Sequence, residues 1–249
     1  MDLHIESRQD ACIFSVGFTA AQILGILCIA LAATWTGSYL GGFAWQSNPP
    51  LQFNYHPLFM VIGMVFFYGD AIMVYRVLRN ERKKLLKLIH GGLQALAFVF
   101  TVVALKAVFD SHNLVKKPIP NMYSLHSWLG LATVLLFCLQ FVCGFVAFLF
   151  PGLVQIWRSR YLPLHVFFGL AIFVMAIATC LAGITEKLVF KLGVGYSSLP
   201  AEGVIANLLG ASLVVLGILV VYLVSSPRFR RQPLPEEDVL RLEPHSPVN

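Results

Sequence analysis

Four histidines stand out because each lies near one end of a long apolar segment. They are His56, His90, His126 and His165. Ionisable side chains inside a bilayer are costly and usually functional. Neutral imidazole is a good ligand for haem iron, and two imidazoles on one iron leave no open position for oxygen. The pattern therefore predicts two bis-histidine haem sites that carry electrons.

The segments that carry these histidines belong to a set of six apolar stretches. Each is near or above the roughly 20 residues that a helix needs to cross a bilayer. The chain has 249 residues, of which 58% are hydrophobic and 12% charged, whereas soluble domains carry about 25% charged residues. We therefore predict an all-α integral membrane protein in a lipid bilayer. The predicted spans are 13–35, 54–76, 88–109, 123–149, 163–186 and 203–225.

The predicted organisation is a single transmembrane domain of six helices over residues 13–225, with haem held by its four central helices, spans two to five. Residues 1–12 form a short cytoplasmic N-terminus, and the first apolar stretch is too long for a signal-peptide core. Residues 226–249 are polar and proline-punctuated, a composition typical of a disordered cytoplasmic tail. The run at 236–240 fits either an acidic sorting signal or a solvated tail.

Lysine and arginine predict the orientation of the spans. With both termini in the cytoplasm, 13 of the 18 Lys and Arg residues fall on the cytoplasmic side, as the positive-inside rule requires. The same bias explains the net charge of +6 better than a nucleic-acid partner does. No nucleic acid is therefore expected among the partners.

This topology sorts the histidines into two pairs. His56 and His126 open their spans at the extracytoplasmic face, whereas His90 and His165 open theirs at the cytoplasmic face. A helix rise of 1.5 Å per residue separates the two levels by roughly 20–25 Å. One such histidine is readily explained as an interfacial residue, but four that alternate by face favour ligands. Neighbouring glycines would leave room for a flat macrocycle: Gly91, Gly92, Gly130 and Gly169.

Three cations accompany the inner pair on the same helical faces. Lys83 and Lys87 lie seven and three residues before His90, and Arg158 lies seven residues before His165. They would converge at the cytoplasmic mouth of the inner site, where they suit haem propionates or an anionic reductant. Two other ions, Asp70 and Lys106, lie inside predicted spans and are interpreted as structural or unexplained.

Several motifs around the histidines resemble the cytochrome b561 family. They are Phe53-Asn54-Tyr55-His56-Pro57, the stretch from Asn121 to Trp128, Leu162-Pro163-Leu164-His165, and the stretch from Gly183 to Leu188. The resemblance covers nearly the whole chain, residues 20–231. It implies a homodimer of six-helix subunits with two haem b groups each. Members pass electrons from cytoplasmic ascorbate to monodehydroascorbate or ferric iron across the membrane.

By position, the resemblance also implies roles for individual residues. The axial ligands would be the four histidines of the two pairs. The ascorbate site would comprise Lys83, Lys87 and Arg158. Further haem contacts are implied at Arg76, Asn121, Met122, Tyr123, Ser124, Glu186 and Arg230. The loop histidine of iron-reducing members falls on His112, which would bind ferric iron, although the neighbouring Lys116 and Lys117 favour an anionic acceptor or chelated iron.

Two other classes of protein fit parts of the pattern. A proton- or metal-coupled transporter would use the same histidines as a relay with Asp70 and Glu186, without haem. The sequence lacks the interrupted apolar segments typical of many transporter sites. A tetraspanin-like scaffold would need large loops, and the predicted loops are short. For the compartment, the late endosome or lysosome, the secretory vesicle and the plasma membrane all fit.

Overall fold

The structure, a computed structural model, describes residues 2–232 of the chain. Within that range six helical segments are long and apolar enough to cross a membrane, which confirms the predicted all-α, six-span fold. The helices are α1 (Asp2–Thr34), α2 (Pro49–Gln52), α3 (Tyr55–Met60), α4 (Tyr68–Val77), α5 (Lys83–Asn113), α6 (Leu125–Phe148), α7 (Gln155–Leu192) and α8 (Ala201–Ser225).

The second membrane span is composite. Its α3 and α4 portions are joined by a π-helical segment, Val61–Phe67, and π-turns inside α-helices are often found at functional sites. Gly63 lies in this segment, where a Cβ atom would come within 2.9 Å of the Phe100 Cβ and 3.1 Å of the Ala97 carbonyl oxygen of α5. The absence of a side chain at Gly63 therefore lets α5 lie close against the second span.

The helices pack in three pairs: α1 with α8, α6 with α7, and the second span with α5. A buried aromatic cluster holds the centre of the bundle, where Tyr68 lies against Phe137 and Phe173 at ring-centroid distances of 5.6 and 6.1 Å. The Tyr68 hydroxyl donates to the Gly169 carbonyl over 2.8 Å. The cluster thereby joins α4 to α6 and α7 without leaving a buried hydroxyl unsatisfied.

Helix ends differ from the predicted spans. Helix α1 begins at Asp2 and α7 runs from Gln155 to Leu192, so both extend well beyond the apolar windows. An apolar window reports only the part of a helix that crosses hydrocarbon, whereas the backbone stays helical until a residue breaks it. In α7 that residue is Gly193, which has a φ of +51° and ends the helix in a conformation that favours glycine.

The first residues of the predicted tail are packed, contrary to the prediction of disorder from residue 226. Phe229 is fully buried and lies 5.3 Å from Phe14 and 5.8 Å from Tyr222 between ring centroids. Arg228 donates two hydrogen bonds to Asp10 Oδ1, at 2.6 and 3.0 Å. One aromatic and one ion pair thus anchor this segment to α1. The acidic run at 236–240 lies outside the described residues.

The two intramembrane ions have local partners. Asp70 Oδ1 accepts a hydrogen bond of 2.7 Å from Gln22 Nε2, which ties α4 to α1. Lys106 forms a 2.7 Å ion pair with Asp110 one turn along α5. The hydrogen bond from Gln22 lowers the cost of holding the Asp70 carboxyl group among apolar side chains.

Replacement of Gly63 by alanine should destabilise the protein by about 1–3 kcal/mol, because the new methyl group would displace α5. The direction of the change in the free energy of unfolding distinguishes this effect from helix propensity, because Gly→Ala inside a helix ordinarily stabilises by up to about 1 kcal/mol. Thermal unfolding in detergent measures the effect. Gly195→Ala is the control, because a Cβ there meets no atom within 4 Å. Equal stability of Gly63→Ala and the unmodified protein would contradict the close approach.

Candidate haem sites and outer cavity

The structure brings the four histidines together in the two pairs expected from depth. The ring centroids of His56 and His126 are 6.0 Å apart, and those of His90 and His165 are 6.2 Å apart. Two imidazoles on opposite sides of one metal ion, with metal–nitrogen bonds of about 2.0–2.1 Å, have centroids about 6 Å apart. Both pairs therefore have the separation that a shared iron requires.

Three of the four imidazoles have their protonation fixed by the backbone. The Nδ1 atoms of His56, His90 and His126 lie 3.2, 2.7 and 2.9 Å from carbonyl oxygens. The respective acceptors belong to Ala104, Ala71 and Thr179. A carbonyl oxygen only accepts, so Nδ1 carries the proton and the Nε2 lone pair is left for a metal. Metal-ligating histidines usually show this arrangement.

His165 is held differently. Its Nδ1 is buried and has no hydrogen-bond partner within residues 9–232. The ring instead packs between Phe148 and Tyr161, at centroid distances of 5.1 and 5.8 Å. Gln140 Nε2 donates to the His165 carbonyl oxygen over 2.5 Å, so the backbone is fixed even though the ring nitrogen is not.

Two glycines on facing helices make room for the imidazoles. A Cβ at Gly144 would lie 2.7 Å from Cε1 of His165, and a Cβ at Gly183 would lie 2.7 Å from Cε1 of His126. Neither was singled out by spacing, which pointed only to glycines on the same helix as each histidine. Both could have been found as glycines at the same depth as a histidine on the adjacent antiparallel helix. Recognising that depth requires the register between α6 and α7.

A cavity of about 450 Å³ opens on the outer pair, within the size range of small-molecule sites. His56 and His126 both line it, so a planar group between the two imidazoles would have room. The predicted outer contacts line it as well: Asn121, Met122, Tyr123, Ser124, Glu186 and His112. With facing imidazoles, unprotonated Nε2 atoms and open space beside them, these residues fit haem b.

The loop that closes this cavity is fixed by short-range hydrogen bonds. Ser124 caps α6 in a reciprocal capping box with Ser127. Met122 has a φ of +61°, and its carbonyl accepts a 2.9 Å hydrogen bond from Trp128 Nε1, which holds the left-handed turn. Such caps stabilise a helix start by about 1 kcal/mol. The predicted contact residues therefore lie on a loop with a defined conformation.

His112 is held at the wall of the same cavity. Its Nδ1 donates to Asn121 Oδ1 over 2.9 Å, and Asn121 Nδ2 in turn donates to Asn113 Oδ1 over 2.9 Å. In the part of the chain that the structure describes, no group of three or more His, Cys, Asp or Glu residues could hold a metal ion. His112 is therefore positioned as a single potential ligand.

At the cytoplasmic end of the inner pair, the three predicted cations Lys83, Lys87 and Arg158 come together. Lys87 lies within electrostatic reach of both Arg158 and Lys83. Its Nζ donates to the Phe148 carbonyl over 2.9 Å, at the C-terminal end of α6, and Arg158 Nη2 donates to Gln155 Oε1 over 2.9 Å. Like charges gathered beside His90 and His165 create a local preference for an anion.

Arg76 and Arg230 also lie near one another, but Arg76 is occupied by the backbone. Its guanidinium donates to the carbonyls of Ser226 and Val224, at 3.1 and 2.5 Å. Both carbonyls lie at the C-terminal end of α8, a position that cations commonly cap. The haem contacts implied for these two arginines stay predictions.

Comparison with known proteins decides the family. The chain matches the model of the eukaryotic cytochrome b561 family over residues 55–191, the region that holds both histidine pairs. The chain belongs to this family. Like other members, this cytochrome b561 is a multi-pass membrane oxidoreductase, and membership implies haem b as the cofactor.

Individual relatives are similar along most of their length. The chain is 48% identical to the transmembrane ascorbate-dependent reductase CYB561 of Sus scrofa, over 90% of this chain and 87% of the relative. It is 45% identical to the human protein of that name, over the same shares. It is 43% identical to the plasma membrane ascorbate-dependent reductase CYBRD1 of Xenopus tropicalis, over 93% and 81%.

Substitution of either facing glycine should remove haem from one site only. Gly144→Ala would displace His165, and Gly183→Ala would displace His126, so each variant should lose about one haem per chain. The pyridine haemochrome assay measures the loss. Gly210→Ala is the matched control, because a Cβ there makes an ordinary contact of 3.5 Å with Leu181. Full haem content in both variants would show that the imidazoles tolerate displacement.

Proposed function

We propose that this cytochrome b561 transfers electrons across a membrane from cytoplasmic ascorbate to an extracytoplasmic acceptor, using two haem b groups. The observation that carries the proposal is the presence of two histidine pairs, each at the separation of a shared iron. Haem b, when bound by two histidines, supplies reversible one-electron chemistry of iron. The names of the relatives, ascorbate-dependent reductases, support ascorbate as the donor.

The four histidines would act as ligands, and the backbone sets the tautomers of three of them. Hydrogen bonds from Nδ1 to carbonyls keep Nε2 of His56, His90 and His126 unprotonated. They also orient the rings and increase the basicity of the ligating nitrogen. We propose that Asn121, Met122, Tyr123, Ser124 and Glu186 line the outer haem, and that Arg76 and Arg230 contact the inner haem.

On the cytoplasmic side, Lys83, Lys87 and Arg158 would bind ascorbate. Ascorbate is a monoanion at neutral pH, and the cluster offers it ammonium and guanidinium donors beside the inner pair. Arg158 Nε is buried and lacks a hydrogen-bond partner in the described part of the chain. A bound anion would satisfy that donor, which supports a ligand rather than a purely topological role for Arg158.

On the outer side, we propose monodehydroascorbate or a ferric chelate as the acceptor, near His112 and Tyr123. Both residues line the outer cavity. The hydrogen bond from His112 Nδ1 to Asn121 leaves Nε2 available to ferric iron. One imidazole alone holds a metal weakly, so the remaining ligands would come from the chelator.

The transporter alternative gains no support from Asp70, the intramembrane carboxylate that it would use in the relay. Asp70 bonds to Gln22, and no described contact connects its carboxylate to a histidine. The homodimer and the compartment stay predictions. Among the compartments, the late endosome or lysosome, the secretory vesicle and the plasma membrane all agree with a multi-pass protein.

Replacement of His90 or His165 by leucine tests the inner pair. Each variant should lose one haem b and should no longer show fast reduction of the inner haem by ascorbate, because one of the two histidines that would hold this haem is missing. Reduced-minus-oxidised visible spectra and stopped-flow mixing measure this. His112→Leu should keep the full spectrum. A normal spectrum and rate in both inner variants would refute the pairing, and a purified protein without a haem spectrum would refute the proposed function.

The double variant Lys83→Ala/Lys87→Ala tests the donor site. Ascorbate should reduce it at least about tenfold more slowly, since loss of charge-assisted hydrogen bonds costs roughly 1.5–3 kcal/mol each. Dithionite should reduce it at the normal rate. Lys84→Ala, exposed on the same turn, is the matched control. Equal slowing with both reductants would indicate damage to haem binding instead of loss of an ascorbate site.

A further inference from the structure

Lys187 is a cation in the stretch from Gly183 to Leu188 to which neither spacing nor the resemblance assigned a role. It lies on α7 four residues after Gly183 and lines the outer cavity. Its Nζ is 4.0 Å from the centroid of the Phe53 ring, the geometry of a cation–π contact. The Phe53 ring is in turn 6.2 Å from the ring of His56. One aromatic ring therefore separates this ammonium from a proposed ligand of the outer haem.

Two other lysines near this end of the bundle have carboxylate partners. Lys191, one turn further along α7, forms a 2.7 Å ion pair with Glu202 and also donates to the Tyr39 carbonyl. Lys106 pairs with Asp110. Lys187 is half-buried and forms no ion pair with any residue that the structure describes. Glu202 is an acidic residue within electrostatic reach of Lys187, but its carboxylate already pairs with Lys191. A half-buried ammonium at Lys187 would therefore gain further stabilisation from a bound anion.

The charge of the cavity wall depends on two neighbouring residues. Glu186 and Lys187 are the charged side chains that line it, apart from its histidines, and no ion pair joins them. The exposed Lys116 and Lys117 lie on the loop between α5 and α6, at the same end of the molecule. Lys116 and Lys117 do not line the cavity, so Lys187 is the lysine that would attract an anion to the wall beside the outer histidines.

We propose that Lys187 determines the specificity of the outer site by binding the electron acceptor as an anion. The inference deepens the proposed function, on which it rests, and assigns to Lys187 the preference for a negatively charged acceptor, the monodehydroascorbate radical anion or a carboxylate-chelated ferric ion, over a hydrated ferric cation. Cation–π contact with Phe53 holds the ammonium within the cavity wall. Loss of the contact or of the charge should weaken anion docking.

The electron count is the same for either acceptor. A monodehydroascorbate radical anion takes one electron and one proton from water to give the ascorbate monoanion. A ferric chelate takes one electron to become ferrous without a change in covalent bonds. In both cases one ascorbate on the opposite side supplies one electron. Lys187 keeps its proton throughout and contributes only its charge.

Lys187→Gln in ascorbate-loaded proteoliposomes tests the proposal. Two outer-sphere acceptors of opposite charge are added outside: ferricyanide and tris(1,10-phenanthroline)cobalt(III). The rate with ferricyanide should fall about five- to tenfold, as expected when local steering charge is removed, while the rate with the cobalt cation should stay equal or rise. Lys187→Arg should restore the ferricyanide rate, because arginine keeps both the charge and the aromatic contact.

Lys117→Gln is the matched control, since it removes one positive charge from the same end of the molecule but does not line the cavity. It should leave the ratio of the two rates close to that of the unmodified protein. If Lys117→Gln and Lys187→Gln change the ratio of the two rates equally, the effect is due to general surface charge, and the assignment is overturned.

Haem propionate is the other anion that Lys187 could bind, and the haem content separates the two. Loss of outer haem from Lys187→Gln, or equal slowing with both acceptors, would overturn the proposal. Failure of internal ascorbate to reduce the unmodified protein, read before any acceptor is added, would instead contradict the proposed function. In that case dithionite would replace ascorbate inside the vesicles, and the ratio of the rates with the two acceptors would still test the role of Lys187.

Discussion

Hydrogen bonds from imidazole to the backbone of a neighbouring helix are the contacts on which the arrangement of the sites depends. His56 donates to α5, His90 donates back to α4, and His126 donates to α7. Each bond fixes a tautomer and a helix-to-helix distance together. In an apolar environment such a bond is favoured because its polar atoms have no water as an alternative. The imidazoles therefore orient metal-binding nitrogens and also fasten the helices that carry them.

The helices approach closely at positions occupied by glycine. Gly63 lets α5 approach the second span, and Gly144 and Gly183 let two imidazoles lie against the opposite helix. The central aromatic cluster around Tyr68 fills the space between the two levels of histidines with large buried rings. Small residues at the level of each pair and bulky residues between them divide the bundle into two separate sites.

The spans and the histidine pairs were predictable from the sequence because both depend on one-dimensional quantities, apolar length and depth. Phe229 was not, because its burial depends on Phe14, which is more than two hundred positions away. Gly144 and Gly183 were missed for a similar reason, since the register of antiparallel helices is a three-dimensional property. Lys187 is part of the Gly183–Leu188 motif, but nothing in the sequence assigns it a role, and only the cavity and the ring of Phe53 distinguish it.

The distribution of the histidines over two helical hairpins determines how the two sites assemble. The second span and α5 form one hairpin, with His56 at one end and His90 at the other. Helices α6 and α7 form another, with His126 and His165. Each hairpin holds one histidine of each pair and neither holds a complete pair. Docking of the two hairpins therefore completes both sites in one event, and neither hairpin alone can form a bis-histidine site.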